Sequence, residues 1–187
     1  MRLFTGLDIA SPVIAGLNDM LERLRPLARV KWSPLENLHI TTKFIGEWPE
    51  TRMDELRAAL SDIDPPGAME IEISGFDFYP NARRPKILVA KVHAPPALHE
   101  LAARTEDALE RLGCPREQRE YSPHLTLARF GDADTRALRR QVDEIGQPRF
   151  GCWRADEFHL YRSQTGGSHS MYTVLASWPL AKETMTA

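Results

Sequence analysis

The chain contains one short stretch twice. His39-Ile40-Thr41-Thr42-Lys43-Phe44-Ile45-Gly46 returns as His124-Leu125-Thr126-Leu127-Ala128-Arg129-Phe130-Gly131, with the histidines, the threonines and the glycines each 85 residues apart. Each copy reads His-x-Thr, then a β-prone run, then a glycine. Residues i and i+2 of a strand share a face, so each histidine shares one with its threonine. A single His-x-Thr arises easily by chance. Two copies in register call for a fold that uses two related strands in equivalent ways.

The flanking pattern repeats as well. After an alternating strand over 2–8, Ser11-Pro12 reads as an N-cap and a first-turn proline, followed by Val13, Leu17, Leu21 and Leu24 at helical spacing. Val30-Lys31-Trp32 is a short extended piece leading toward the first histidine strand. A helix with Leu56 and Leu60 on its buried side follows, then strands over 69–79 and 87–92 around the basic loop Arg83-Arg84-Pro85-Lys86. Pro95-Pro96 opens a helix carrying Leu98, Leu101 and Leu109, and the second histidine strand comes next. A helix through Leu138 and Val142 leads to strands around 158–162 and 171–178, joined by the flexible Gln164-Thr165-Gly166-Gly167-Ser168. Phe76 and Tyr79 correspond to Phe158 and Tyr161 at an offset of 82 residues. The connections are short, which favours antiparallel sheets. The expectation is one bilobal α+β unit over 1–187, with two pseudo-symmetric lobes of antiparallel sheet and flanking helices. Its internal repeat runs over about 11–93 and 95–179, and the functional cleft lies between the lobes.

Composition bounds the function. At 187 residues, 42% hydrophobic and 27% charged, the chain can bury a substantial core. A formal net charge of −2 argues against broad coating of duplex nucleic acid, but leaves room for a small basic pocket that grips one or two phosphates. Cys114 and Cys152, with no CxxC spacing, fit a reducing compartment. No apolar run reaches the length of a signal peptide or a membrane span. The expected setting is therefore cytoplasmic, with no membrane association and no obligate protein partner.

Packing two related halves about a pseudo-two-fold axis would present His39, His124, Thr41 and Thr126 to one cleft. Imidazole titrates near pH ~6.5, so one ring can accept a proton while the other donates one, as substitution at a phosphodiester requires. The hydroxyls can donate to non-bridging phosphate oxygens. No Asp or Glu stands near either motif as a third ligand, so neither a metal nor any other cofactor is expected. His93, His99, His159 and His169 lack the duplicated context and read as packing or surface groups. His159 is the nearest competitor, but its first-half counterpart is Asp77.

At these residues the chain resembles the 2H phosphoesterase superfamily, and within it the RNA 2′,3′-cyclic phosphodiesterases of the LigT/ThpR type. The resemblance covers most of the chain. It runs through Arg2-Leu3-Phe4, Trp32, Glu36-Asn37-Leu38-His39, Lys43-Phe44-Ile45-Gly46-Glu47, Arg84-Pro85, Ser122-Pro123-His124 through Arg129, Leu160-Tyr161-Arg162-Ser163, Gly166-Gly167 and Tyr172. It implies a bilobal α+β fold and metal-independent hydrolysis of a 2′,3′-cyclic phosphate to a 2′-phosphate. The partner would be RNA with a 2′,3′-cyclic phosphate end, or a related cyclic nucleotide. His124 would activate water and His39 would protonate the leaving 3′ oxygen. Thr41 and Thr126 would hold the phosphate, Arg129 would add a charged contact, and Phe44 would stack on a base. Strict alternation puts Phe44 and Arg129 on the face opposite the histidines, unless the strands twist or bulge near their glycines or these residues act from the cleft rim. Thr42 and Tyr121 depart from the family pattern, where leucine and phenylalanine are usual, and are expected to affect substrate fit. Two rival readings are 2′,5′ ligation of RNA ends and a non-catalytic RNA-end module. The latter would use a groove of Arg83, Arg84, Lys86, Lys43 and Arg162.

Overall fold

The computed structural model describes residues 1–166 and 169–181. Gly167 and Ser168, from the expected flexible connection and the resemblance, lie outside the described residues, as does 182–187. In chain order the elements are β1 (Arg2–Asp8), α1 (Ser11–Leu24), β2 (Lys31–Trp32), β3 (His39–Glu47), α2 (Met53–Ser61), β4 (Met69–Tyr79) and β5 (Ile87–His93). They continue with α3 (Pro96–Glu110), β6 (His124–Arg129), α4 (Arg136–Ile145), β7 (Arg149–Ala155), β8 (Glu157–Gly166) and β9 (His169–Pro179).

Local sequence explains most of these. The buried face of α1 is Val13, Leu17, Leu21 and Leu24, and that of α3 includes Leu98, Leu101, Ala102 and Leu109, both at the spacing of an amphipathic helix. Ser11 does not cap α1. Ala10 holds the cap position, Ser11 and Pro12 form the first turn, and no side chain bonds the helix start. The first-turn proline has no amide hydrogen to leave unsatisfied there. Strand β7 went unread because only Asp156 separates it from β8. With no cluster of turn residues between them, the two strands look like one extended run.

Two antiparallel sheets result, ordered β3-β1-β8-β9 and β2-β6-β5-β4-β7. They do not follow the chain's two halves. β4 and β5 join the sheet of the second histidine strand, while β8 and β9 return to the sheet of the first. β1 is flanked by β3 and β8 as β5 is flanked by β6 and β4. The helices cross over too: α1 packs on β7 of the second sheet, and α3 packs on β3 of the first and against α2. A chain exchanged this way ties each sheet to both halves. The core is continuous through Leu7, Leu17, Ile40, Leu56, Ile71, Leu88, Leu125 and Phe158.

One buried charge pair joins the histidine strand of the first sheet to the second half. Lys43 Nζ lies 2.5 Å from Glu106 Oε1 on α3 and donates to the Pro115 carbonyl at 2.7 Å. The side chains are only 5% and 14% exposed. Glu106 also accepts the Glu117 amide at 2.8 Å, so the pair pins the connection that leads to β6. Lys43 is thus unavailable to a basic groove. Removing one partner of such a pair strands the other charge away from water. Glu106→Ala is expected to lower unfolding free energy in urea by about 3–5 kcal/mol, while Lys43→Met/Glu106→Leu recovers most of the loss. A loss under about 1 kcal/mol for Glu106→Ala would show the pair to be solvated.

Candidate active site

Both histidine strands break their alternation at the same place. On β3, Gly6 of β1 pairs with Thr41 and Thr5 with Lys43, which leaves Thr42 as a β-bulge. On β6, Val89 of β5 pairs with Thr126 and Leu88 with Ala128, which leaves Leu127 as the bulge. The extra residue reverses the facing of the residues that follow it, on β3 as far as a second register shift at Ile45. Thr42 and Lys43 both turn to the helix side and are buried, as are Leu127 and Ala128, while Phe44 and Arg129 return exposed to the side of the histidines. The departure from strict alternation is therefore a bulge right after each His-x-Thr. Gly6 permits the first one: a Cβ there would lie 2.5 Å from the Ile40 carbonyl oxygen.

One cleft of ≈ 1400 Å³ between the sheets is lined by His39, Thr41, Phe44, His124, Thr126 and Arg129 together. All six residues singled out in the sequence meet there. The two imidazoles are held alike. His39 Nδ1 is 2.7 Å from the Asn37 carbonyl, and His124 Nδ1 is 2.8 Å from the Ser122 carbonyl. A carbonyl oxygen only accepts, so Nδ1 carries the hydrogen and Nε2 is the nitrogen left for a cleft ligand. Asn37 is fixed in turn by its side-chain amide donating to the Ser170 carbonyl at 2.6 Å.

The walls around the rings differ. His39 stacks on Phe4 at 4.5 Å between centroids, with Tyr172 edge-on at 5.1 Å and Tyr161 at 5.8 Å. Burial lowers its pKa below the ordinary value, and the charge of His124 lowers it further. The Asn37 hydrogen bond and Asp8 partly oppose this. His124 meets the edge of Tyr79 at 5.0 Å. Burial raises the Tyr161 pKa well above the phenolic range, helped by its hydrogen bond to Asp8, so it stays a neutral donor.

Several residues of the site have no role assigned from the sequence. Phe4 and Tyr172 belong to the family resemblance only as matching positions. Tyr79 and Tyr161 did carry a signal, since they form one of the repeated pairs, and each faces the histidine of the other half. Tyr121 donates its hydroxyl to the Thr41 carbonyl at 3.0 Å, tying the entry of β6 to β3. Its departure from phenylalanine thus adds a hydrogen bond between the two sheets at the cleft wall. Thr42 is likewise internal, its hydroxyl 2.7 Å from that of Thr5. Among the described residues, Arg83, Arg84 and Arg162 do not line the cleft, so of the expected basic groove only Lys86 remains exposed there. His159 is 8% exposed and bonded to Ser177, and His93 is bonded to Ser74. The side chain of His169 lies outside the description. No group of three or more metal-ligating side chains occurs among the described residues, and no helix among them is long and apolar enough to cross a membrane.

Known proteins resemble the chain over nearly all of its length. An RNA 2′,3′-cyclic phosphodiesterase of Methanocaldococcus jannaschii is 28% identical over 179 residues, 95% of this chain and 100% of the relative. A crystal structure of a Thermus thermophilus protein superposes with a TM-score of 0.83 at 27% identity, over 96% of this chain and 98% of its own. E. coli LigT in complex with 3′-AMP has the same fold, with a TM-score of 0.80 at 22% identity over 97% and 98% of the two chains. The model of the 2′-5′ RNA ligase superfamily matches residues 12–167. With two equivalent His-x-Thr strands facing one cleft and a family model spanning both, this chain belongs to the 2′-5′ RNA ligase superfamily, the 2H phosphoesterases that its paired motifs resemble.

Proposed function

We propose that this protein is an RNA 2′,3′-cyclic phosphodiesterase that opens the cyclic phosphate at an RNA end to leave a 2′-phosphate. The observation that carries the reading is the matched pair of imidazoles, each held through Nδ1 by a backbone carbonyl and lining one cleft. The relatives named for this activity support it. The whole bilobal chain acts as one catalytic unit in the cytoplasm on RNA ends or related cyclic nucleotides.

In the reaction, His124 Nε2 takes a proton from water as the water oxygen bonds to phosphorus. The bond from phosphorus to O3′ breaks, and His39 gives its proton to that oxygen. Thr41 and Thr126 donate hydrogen bonds to the non-bridging oxygens, and the Arg129 guanidinium offsets their charge. Phe44, half exposed, offers a face to a base. The two imidazoles and the arginine supply both proton transfers and the charge stabilisation, so no step calls for a metal.

The lowered pKa of His39 gives this scheme a sequence of events. In the ligand-free cleft its ring is neutral at pH 7. An anionic phosphate beside it favours the cation and raises the pKa, so the acid is charged by the substrate it serves. In the free protein the sign is fixed by burial: the unfolded chain binds the proton more readily, so stability falls as pH drops through ~6.5 toward the lower folded value.

Two expectations follow from these roles. His39→Ala and His124→Ala should each cut kcat/KM on an oligonucleotide ending in a 2′,3′-cyclic phosphate by at least about 100-fold, while EDTA leaves the wild type active. Product analysis should find the phosphate on the 2′ oxygen, and full activity in both variants would sink the assignment. By NMR, the His39 ring should titrate below ~6.5 in the free protein and move upward with bound phosphate or with Phe4→Ala, which opens the ring to water. A midpoint at or above ~6.5 in the free protein would contradict the role given to burial.

A further inference from the structure

The cleft's charges are unevenly matched. Its lining holds seven cations (Arg2, Lys31, Lys43, Lys86, Arg116, Arg119 and Arg129) but only three carboxylates, Glu106, Glu117 and Glu120. Glu106 is committed to Lys43 and Glu117 to Arg119. Arg116 pairs with Asp107 and Glu110 outside the cleft. At the β2 end of the second sheet the excess becomes local. Lys31 and Arg129 are direct Cα partners in the ladder, and Ile87 faces Arg129 from the other side. Lys86 sits beside them, its carbonyl accepting the Phe130 amide at 2.9 Å.

Like charges directly opposite one another destabilise an antiparallel pair. Lys31, Lys86 and Arg129 are all exposed, and among the described residues no ion pair engages any of them. With Arg129 given to the phosphate between the histidines, Lys31 and Lys86 remain as two unneutralised cations at one end of a cleft, in a chain of net charge −2, and mark a place for a second anion. A 2′,3′-cyclic phosphate closes the 3′ end, so the strand continues only through the 5′ phosphate of its terminal nucleotide.

We propose that Lys31 and Lys86, beside Arg129, form a subsite for that adjoining phosphodiester, which makes the protein selective for oligonucleotides over cyclic mononucleotides. The proposal rests on the function given above. Lysine suits the task, since a flexible ammonium follows a phosphate without fixing its orientation. Across the cleft, Phe44 with the Arg2 guanidinium 4.9 Å from its ring centroid makes a flat, positively charged platform for the base between the two phosphates.

The test compares the wild type with Lys31→Gln/Lys86→Gln on two substrates, a 2′,3′-cyclic mononucleotide and a tetranucleotide ending in the same cyclic nucleotide. The ratio of kcat/KM, tetranucleotide over mononucleotide, should fall about tenfold in the variant, mostly through KM. Lys31→Arg/Lys86→Arg should restore it. Fluorescence anisotropy of a labelled tetranucleotide should show the slope of log K against log salt shrinking by about 0.7, the value for one single-strand phosphate contact. An unchanged ratio or an unchanged slope overturns the subsite. If the wild type hydrolyses neither substrate, the catalytic reading fails, and the salt slope alone then decides the subsite.

Discussion

The bulge directly after each His-x-Thr decides what the cleft contains. Without the bulges at Thr42 and Leu127, strict pleating would send Phe44 and Arg129 into the helix-facing layer and bring the side chains at 43 and 128 toward the cleft. With them, the first face gathers a histidine, a threonine and an aromatic ring, and the second a histidine, a threonine and a guanidinium. The same device turns Lys43 inward to Glu106, so the distortion that builds the cleft also anchors it. Gly6 is part of this arrangement, because only a residue without Cβ lets β1 run so close to the bulge.

The exchange of strands between sheets then gives each imidazole a neighbour from the opposite half. Tyr79 reaches His124, and Tyr161 reaches His39. The two environments are related but unequal. His39 has Phe4 stacked on it and aromatic rings around it, whereas the only ring packed on His124 among the described residues is Tyr79. Burial lowers the pKa of His39 below the ordinary imidazole value.

Much of this was legible from the chain. The histidines stood out because repetition at one spacing is rare, and the helices because leucine recurred at helical intervals. The pair Tyr79 and Tyr161 was visible as a repeat, though not as walls of the site. What stayed hidden depended on partners far away in sequence. Nothing near Lys43 announces Glu106, 63 residues on, and nothing near Tyr121 announces the Thr41 carbonyl, 80 residues back. Strand β7 was masked by the single residue separating it from β8. A twist or bulge was expected near the glycines, as one way to reconcile alternation with the expected roles of Phe44 and Arg129, but the bulges come directly after Thr41 and Thr126, since a bulge is a property of two strands and the residues of one cannot place it.

The pairing of β1 with β8 has a consequence for how the molecule comes into being. These strands are neighbours in the sheet yet stand more than 150 residues apart along the chain (Phe4 opposite Tyr161). A ribosome delivers the Arg2–Asp8 ladder edge long before its second partner exists, and that edge stays open through most of synthesis. Tyr161 and Tyr172 arrive with the last strands, so the pocket that dries out His39 is among the final parts to close. Until then the His39 strand lacks the aromatic walls that bury its ring, and the cleft waits on strands made more than a hundred residues later.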